Sequence, residues 1–432
     1  MSIQVRGCRR AGWLALCGML ALLPAARPGP APTPAPEDAD ADAAGRTIVV
    51  GMSAAFRGPS RGLGIELYRG AAACFAEVNR QGGVHGRRVV LQAYDDGYNP
   101  APAVANTRRL VHRDNAFLLF GYVGTPTTTR VLPLLKHFEE HSVCLFCPFT
   151  GAEPQREGPY RSFVFNLRAS YRDETRGLVD HLVRVGRRRL AVFYQIDAYG
   201  RSGWDGVRRA LAGHKLKMVA EATYRRGSGF ETSMQRQVEL LRGGDPDAVV
   251  CVGSYEACAA FIRDARDAGW EVPIANLSFV GSENLLGLLH AHGQEGGRDY
   301  TAGLLNTQVA PSYARTNLPG VRLYRTLMDR HAQDALPAGL ADADYEPLRY
   351  SFTSLEGFLD ARLVVEVLRK LGPNPRRGDV RRAAESLRGV DLGLGWKVSF
   401  SPDCHQARSE VYYTVVRGGR FVPLTDWDRW KK

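Results

Sequence analysis

From Thr47 onward the chain alternates short apolar runs with amphipathic stretches, and then does so a second time. Strand-like runs at 48–52, 88–94, 117–120 and 143–147 are separated by helical stretches near 64–80, 102–113 and 126–141. The period restarts with strands at 190–194, 217–222, 248–252 and 272–277 and helices near 200–211, 230–242 and 255–268. Parallel neighbours cannot be joined by a tight turn and need a crossover helix, so this alternation predicts parallel sheets wrapped by helices. Two blocks in series predict two α/β sheets. Beyond residue 300 the alternation lapses into a strand at 301–309, helices near 321–332, 351–371 and 379–387, and a hairpin, 411–417 with 421–424, turning at Gly418-Gly419. The late helices are expected to pack back on the first sheet and the hairpin to edge the second. That gives two lobes joined by a hinge of several crossings, with 47–166 plus 305–408 in the first and 167–304 plus 409–432 in the second.

In open parallel sheets, ligands sit beyond the carboxyl ends of the strands. Two such ends here deliver small polar residues: Gly124-Thr125-Pro126-Thr127 after the third strand and Phe149-Thr150-Gly151 after the fourth. Thr125 suits an N-cap and Pro126 the first helical position, so a helix is expected to open there. A helix N-terminus combines free N–H groups with the positive end of the dipole, which suits a carboxylate. The second block ends its strands in Asp197-Ala198-Tyr199-Gly200, Ser254-Tyr255-Glu256 and Ser282-Glu283, tyrosines and carboxylates that suit an ammonium. Opposite chemistries on opposing lobes fit a zwitterion held between them. Asp197 reads as a turn residue.

The N-terminus carries Arg6, Arg9 and Arg10, an apolar run from Trp13 to Leu23 and Pro24-Ala25-Ala26, which is the pattern of a secretory signal over 1–26. Cys17 is a candidate for acylation, but Leu16 before it is a poor fit to a lipoprotein site, so lipid anchoring is not expected. Residues 27–46 are Pro, Ala, Asp and Glu with almost no large apolar residue, a composition that cannot build a core and reads as a disordered tether. No other stretch approaches the ~20 apolar residues that a membrane span needs. The formal charge is +12, part of it from Arg6, Arg9 and Arg10 of the signal. The remaining excess is spread over exposed-looking helix faces, with no RNA-binding aromatic signature and no zinc-finger spacing, so no nucleic-acid partner is expected. Cys144 and Cys147 lie in a predicted strand, where three residue steps span roughly 10 Å, beyond the ~7 Å that a disulfide bridges. Cys74, Cys251 and Cys258 read as small buried hydrophobes, and their pairing is left open.

These residues carry a resemblance to the leucine/isoleucine/valine-binding type of periplasmic solute receptor that serves ABC importers. It runs from Ile48 to Pro423 through Gly70-Ala71-Ala72, Glu77-Val78-Asn79, Gly82-Gly83-Val84-His85-Gly86-Arg87, Tyr94-Asp95-Asp96, the Gly-Thr-Pro-Thr turn, Pro148-Phe149-Thr150-Gly151-Ala152 and Phe279-Val280-Gly281-Ser282-Glu283. The order and spacing of these pieces are specific, although none is diagnostic alone. The resemblance implies the type I two-lobed fold, no catalysis and no cofactor. It also implies a periplasmic location and a membrane permease as partner. It places Thr125 on the ligand carboxylate, Phe149, Thr150 and Gly151 in a turn of backbone donors, and Tyr199 over the ligand. Tyr255 or Ser254 falls at a second contact, and Glu283 on an α-ammonium. The chain departs from the family where members often carry a Ser-Ser-Thr-like run, and Phe149 is bulkier than the usual Ala or Gly. The expected ligand is therefore a small carboxylate, branched-chain or another amino acid, with an amide or an aromatic acid as the alternative. A sensing protein of the same fold is the alternative role.

Two motifs point elsewhere. His137-Phe138-Glu139-Glu140-His141 matches a zinc-peptidase pattern, but it belongs at the far end of its helix, away from the cleft, with no third ligand in view. Gly62-Leu63-Gly64 lacks the third glycine and the acidic partner of a dinucleotide fingerprint. An enzyme on this scaffold would need a nucleophile–base pair or a metal cluster, and the six predicted cleft turns hold no histidine.

Overall fold

The computed structural model describes residues 46–139, 142–334, 336–342 and 344–431. The expected signal, Cys17, nearly all of the tether, and Glu140 and His141 of the zinc-like motif lie outside them. The first sheet is built from β1 (Thr47–Ala54), β2 (Arg88–Asp95), β3 (Leu118–Phe120), β4 (Leu145–Phe146) and β5 (Val164–Phe165), in the order β2-β1-β3-β4-β5. Every pairing in it is parallel. The crossovers are α1 (Arg61–Arg80), α2 (Pro100–His112) and α3 (Thr125–His137). β5 has no counterpart in the sequence reading, because two residues carry no period.

The second sheet contains β6 (Leu190–Gln195), β7 (Ala220–Tyr224), β8 (Ala248–Val252), β9 (Ile274–Asn276) and β10 (Leu304–Gln308). Its helices are α4 (Tyr171–Arg184), α5 (Ala198–Gly213), α6 (Gln235–Arg242), α7 (Tyr255–Asp267) and α8 (Ser282–Gly296). The strand order is β12-β11-β10-β9-β8-β6-β7, where β11 (Tyr412–Arg417) and β12 (Arg420–Pro423) are the late hairpin, antiparallel to the edge of β10. The division expected between residues 304 and 305 falls inside β10, where Leu304 pairs with Ile274 and Leu305 with both Ala275 and Val415. The chain therefore leaves the second sheet only after Gln308, because all five residues of β10 are buried by that sheet's neighbours.

α9 (Pro319–Arg330), α10 (Phe352–Leu371) and α11 (Val380–Glu385) follow, and α10 returns to pack along α1. A Cβ on Gly70 would sit 1.8 Å from the Ser354 carbonyl, and one on Gly357 2.1 Å from that of Leu67, so these glycines set how closely the helices approach. Two crossings are laced together. Asn166 N–H donates to the His405 carbonyl at 2.8 Å, and Ala407 N–H donates to that of Asn166 at 2.8 Å. Parallel sheets covered on both faces give near-continuous apolar strands, as in the fully buried Ala248–Val252. No helix among the described residues is long and apolar enough to cross a membrane. Cys74, Cys144, Cys147, Cys251 and Cys258 are buried free thiols, and Cys404 is exposed.

Candidate functional site

The carboxyl ends of β3 and β4 come together. The N-cap of α3 is Gly124, not Thr125, and its φ of 101° belongs to glycine. A Cβ there would lie 2.0 Å from the Tyr98 ring, so no larger residue fits. Thr125 is thus the first residue inside the helix, and its side chain is not needed as a cap. It bonds instead to the Thr150 hydroxyl at 2.6 Å, with both residues buried. The hydroxyls of Thr127 and Thr129 fold back on the carbonyls of Val123 (2.6 Å) and Thr125 (2.7 Å). Thr150 also accepts the Ala152 N–H at 3.2 Å. Gly151 O accepts the Tyr171 N–H at 2.7 Å, and a Cβ on Gly151 would strike the Tyr171 ring and backbone, both at 2.7 Å.

Around this pair stands a cluster of rings from both lobes. Phe149 lies 5.5 Å from Phe279, which lies 4.5 Å from Tyr199 and 5.8 Å from Tyr98, and Tyr171 lies 5.2 Å from Tyr199. All five are at most 3% exposed. Each issues from a strand end or from a helix start facing the cleft, which is where the topology delivers ligand contacts. Asp197 caps α5 by accepting the N–H groups of Tyr199 (2.9 Å) and Gly200 (3.4 Å), and so fixes the approach of Tyr199. The Arg168 guanidinium stacks over Phe149 at 4.5 Å, donates to Ser278 Oγ, and is paired with Glu356 at 3.4 Å. Burial raises the Tyr171 phenol to about 12, keeping it a protonated donor.

Thr125, Phe149, Thr150, Gly151 and Tyr199 therefore come together in one cluster. Tyr255 and Glu283 are engaged differently. The Tyr255 hydroxyl accepts the Gly62 N–H at 3.2 Å, a bond across the cleft from the second lobe to the first. Ser254, the alternative to Tyr255, donates its N–H to the Tyr224 hydroxyl at 3.1 Å. Glu283 lies in the first turn of α8, yet its Oε2 accepts the Phe352 N–H at 3.2 Å, and the Tyr313 hydroxyl stands beside the carboxyl. Burial pushes Glu283 up to about 7, offset in part by those hydrogen bonds. Among the described residues its hydrogen bonds do not reach the threonine pair or the rings.

Sequence reasoning missed Tyr98, Tyr171, Arg168 and the role of Phe279 in the cluster. Tyr98 had a usable signal, since it ends the Asp95-Asp96-Gly97 turn at the carboxyl end of β2. Its φ of 59° is unusual for a bulky residue and is supported by Asp96, which accepts the Tyr98 N–H at 2.9 Å. The Tyr98 hydroxyl then reaches Gln195 of β6 at 3.3 Å. Arg168 lies between β5 and α4, and Tyr171 is the first residue of α4, where no strand period marks them. No cluster of His, Cys, Asp or Glu among the described residues has the arrangement of a metal site.

Comparison with known proteins adds the following. A family model described as Periplasmic binding protein matches residues 47–420. An amino acid binding protein of Pseudomonas aeruginosa is 26% identical over 263 residues, covering 60% of this chain and 66% of the relative. The Leu/Ile/Val-binding protein of Escherichia coli K12 is 25% identical over 259 residues, covering 57% and 68%. The match thus spans about two thirds of the length of these relatives. A possible leucine/isoleucine/valine-binding protein from Rhodopirellula baltica superposes with a TM-score of 0.77 at 31% identity, covering 90% of this chain and 98% of that one. A branched chain amino acid ABC transporter from Thermus thermophilus with bound valine has a TM-score of 0.75 at 19% identity, with 88% and 96% covered, a likeness of fold alone.

Proposed function

Because this chain belongs to the periplasmic binding protein family, with its type I two-lobed fold, we propose that it is a receptor that closes over a small carboxylate and hands it to the membrane permease of an ABC importer. The observation that carries this reading is the buried Thr125–Thr150 hydroxyl pair at the N-terminus of α3. Two hydroxyls hold two protons, and only one is used in their mutual bond. With the Tyr171 phenol beside Thr150, the three hydroxyls keep one proton beyond their mutual bonds, and that proton and the helix dipole suit an anion. The lobes meet over this point through Tyr98–Gln195 and Gly62–Tyr255. We place the receptor in the periplasm, from the signal pattern at 1–26.

A receptor binds without converting. A thermal-shift screen of small acids, amides and amino acids on purified protein is expected to find a saturable stabilisation, roughly 2.7 kcal/mol at a hundredfold excess over Kd. Mass spectrometry of the recovered compound should show it unchanged. Turnover of the stabilising compound, or silence across the whole screen, defeats the receptor reading.

A further inference from the structure

We propose that the ligand of this cleft is an aromatic monocarboxylate without an α-amine. The inference rests on the receptor reading and adds the chemical class of the cargo.

Three observations point the same way. The first is a surplus of donors. Thr125, Thr150 and the Tyr171 phenol beside Thr150 hold three protons, their two mutual contacts use two, and Arg168 Nη1 is buried without a hydrogen-bond partner. Tyr171 and Arg168 flank the same turn, since the first packs on Gly151 and the second on the Phe149 ring. Donors of this kind suit a group that only accepts, and a carboxylate is such a group.

The second is that the carboxylates bordering the rings already have partners. Asp96 accepts Ser53 Oγ at 2.7 Å and the Tyr98 N–H at 2.9 Å. Asp197 caps α5 and pairs with Arg226 at 3.3 Å. Glu174 accepts the Ser278 N–H and Oγ, each at 2.9 Å, and Thr307 Oγ1 at 2.5 Å. Glu283, which the family resemblance assigns to an ammonium, is turned to Phe352 and Tyr313 instead. Its Oε1 lacks a hydrogen bond, but the carboxyl sits near neutrality beside Glu66 and Tyr313, an environment suited to a protonated acid. An α-ammonium entering the ring cluster would have to compete with the bonds that Asp96, Asp197 and Glu174 already make, and a buried cation left unpaired is costly.

The third is the shape and charge of the walls. Phe149, Tyr98, Tyr199, Tyr171 and Phe279 pack on one another in tilted pairs, and guanidinium groups stand over two of the rings, Arg168 over Phe149 at 4.5 Å and Arg226 over Tyr98 at 5.8 Å. Offset or edge contacts among rings favour a further ring over an aliphatic chain of similar size.

The test is calorimetry on the purified full chain with ligands that differ by one feature. The aromatic acids are benzoate, phenylacetate and 3-phenylpropionate. L-Phenylalanine adds only the amine to the last of these, and 4-methylpentanoate and L-leucine form the aliphatic pair. At least one aromatic acid is expected to bind about tenfold or more tighter than L-phenylalanine, L-leucine and 4-methylpentanoate. Phe149→Leu, checked for folding by circular dichroism, is expected to weaken that acid by about tenfold. An amino acid that binds as tightly as its amine-free counterpart overturns the inference, as does preference for 4-methylpentanoate. If all three aromatic acids fail while another compound of the wider screen binds, the inference falls and the receptor reading stands. Silence across the entire screen removes both.

Discussion

Thr125 changes its role between the two levels of description. As a sequence it is a helix cap, and in the fold Gly124 takes that position and the Thr125 hydroxyl bonds Thr150 instead. A hydrogen bond to a charged acceptor contributes about 1.5–3 kcal/mol. Thr125→Ala is therefore expected to weaken carboxylate binding roughly tenfold or more, measured by calorimetry. Unchanged affinity would limit the hydroxyl to holding Thr150. Glu283 gives a second prediction at this scale. Its carboxyl is raised by burial from 4.5 to about 7, so the folded state holds the proton more tightly than the unfolded chain does. Its contribution to stability is full below pH 4.5 and is lost as the pH rises through about 7. Gln mimics the protonated form, so Glu283→Gln should lose less stability than wild type between pH 5 and pH 7.5 in urea unfolding. Parallel pH profiles for the two proteins would contradict a buried, proton-holding Glu283. Asp96 and Glu356 are raised to about 7 by the same cause and add slope of the same sign to both profiles.

Among the elements, the pairing of α1 with α10 is set by glycines. Gly70→Ala brings a Cβ to within 1.8 Å of a carbonyl oxygen on a rigid helix. The helices must separate, and overpacking of this kind costs about 1–3 kcal/mol. Gly213→Ala is the control, because a Cβ there meets nothing within 4 Å, and its effect on denaturant stability should stay within about 0.5 kcal/mol. Equal effects at the two positions would mean that the helices slide apart without cost. This contact also shows where legibility ends. The strands and crossover helices are visible in the sequence because burial imposes periods of 2 and 3.6 on them. The small-residue contact between α1 and α10 joins segments nearly 300 residues apart, and neither segment carries a sign of the other. Short elements such as β5 are hidden for the simpler reason that two residues cannot display a period.

At the scale of the molecule, the lobes are in contact across the cleft through Tyr98–Gln195, Gly62–Tyr255, Asn284–Tyr345 and the rings around Phe279. A ligand that binds both faces favours this closed arrangement over an open one by its differential affinity for the two. Solution scattering is expected to show a smaller radius of gyration at saturating ligand than without it. An unchanged profile would mean that the cleft is preformed and rigid.

The sequence by itself determined the two tandem α/β sheets, the late hairpin, and the strand ends at which Thr125, Phe149, Thr150, Gly151 and Tyr199 stand. These are local consequences of burial period and turn chemistry, repeated often enough to be read. Only the tertiary structure decided that β10 belongs wholly to the second sheet, that Glu283 faces Phe352, and that Tyr98, Tyr171, Arg168 and Phe279 pack around Phe149 and Tyr199. A side chain's partner depends on which distant segments pack beside it, and a carboxylate at a helix start reads the same in sequence whether it meets a ligand or a backbone N–H.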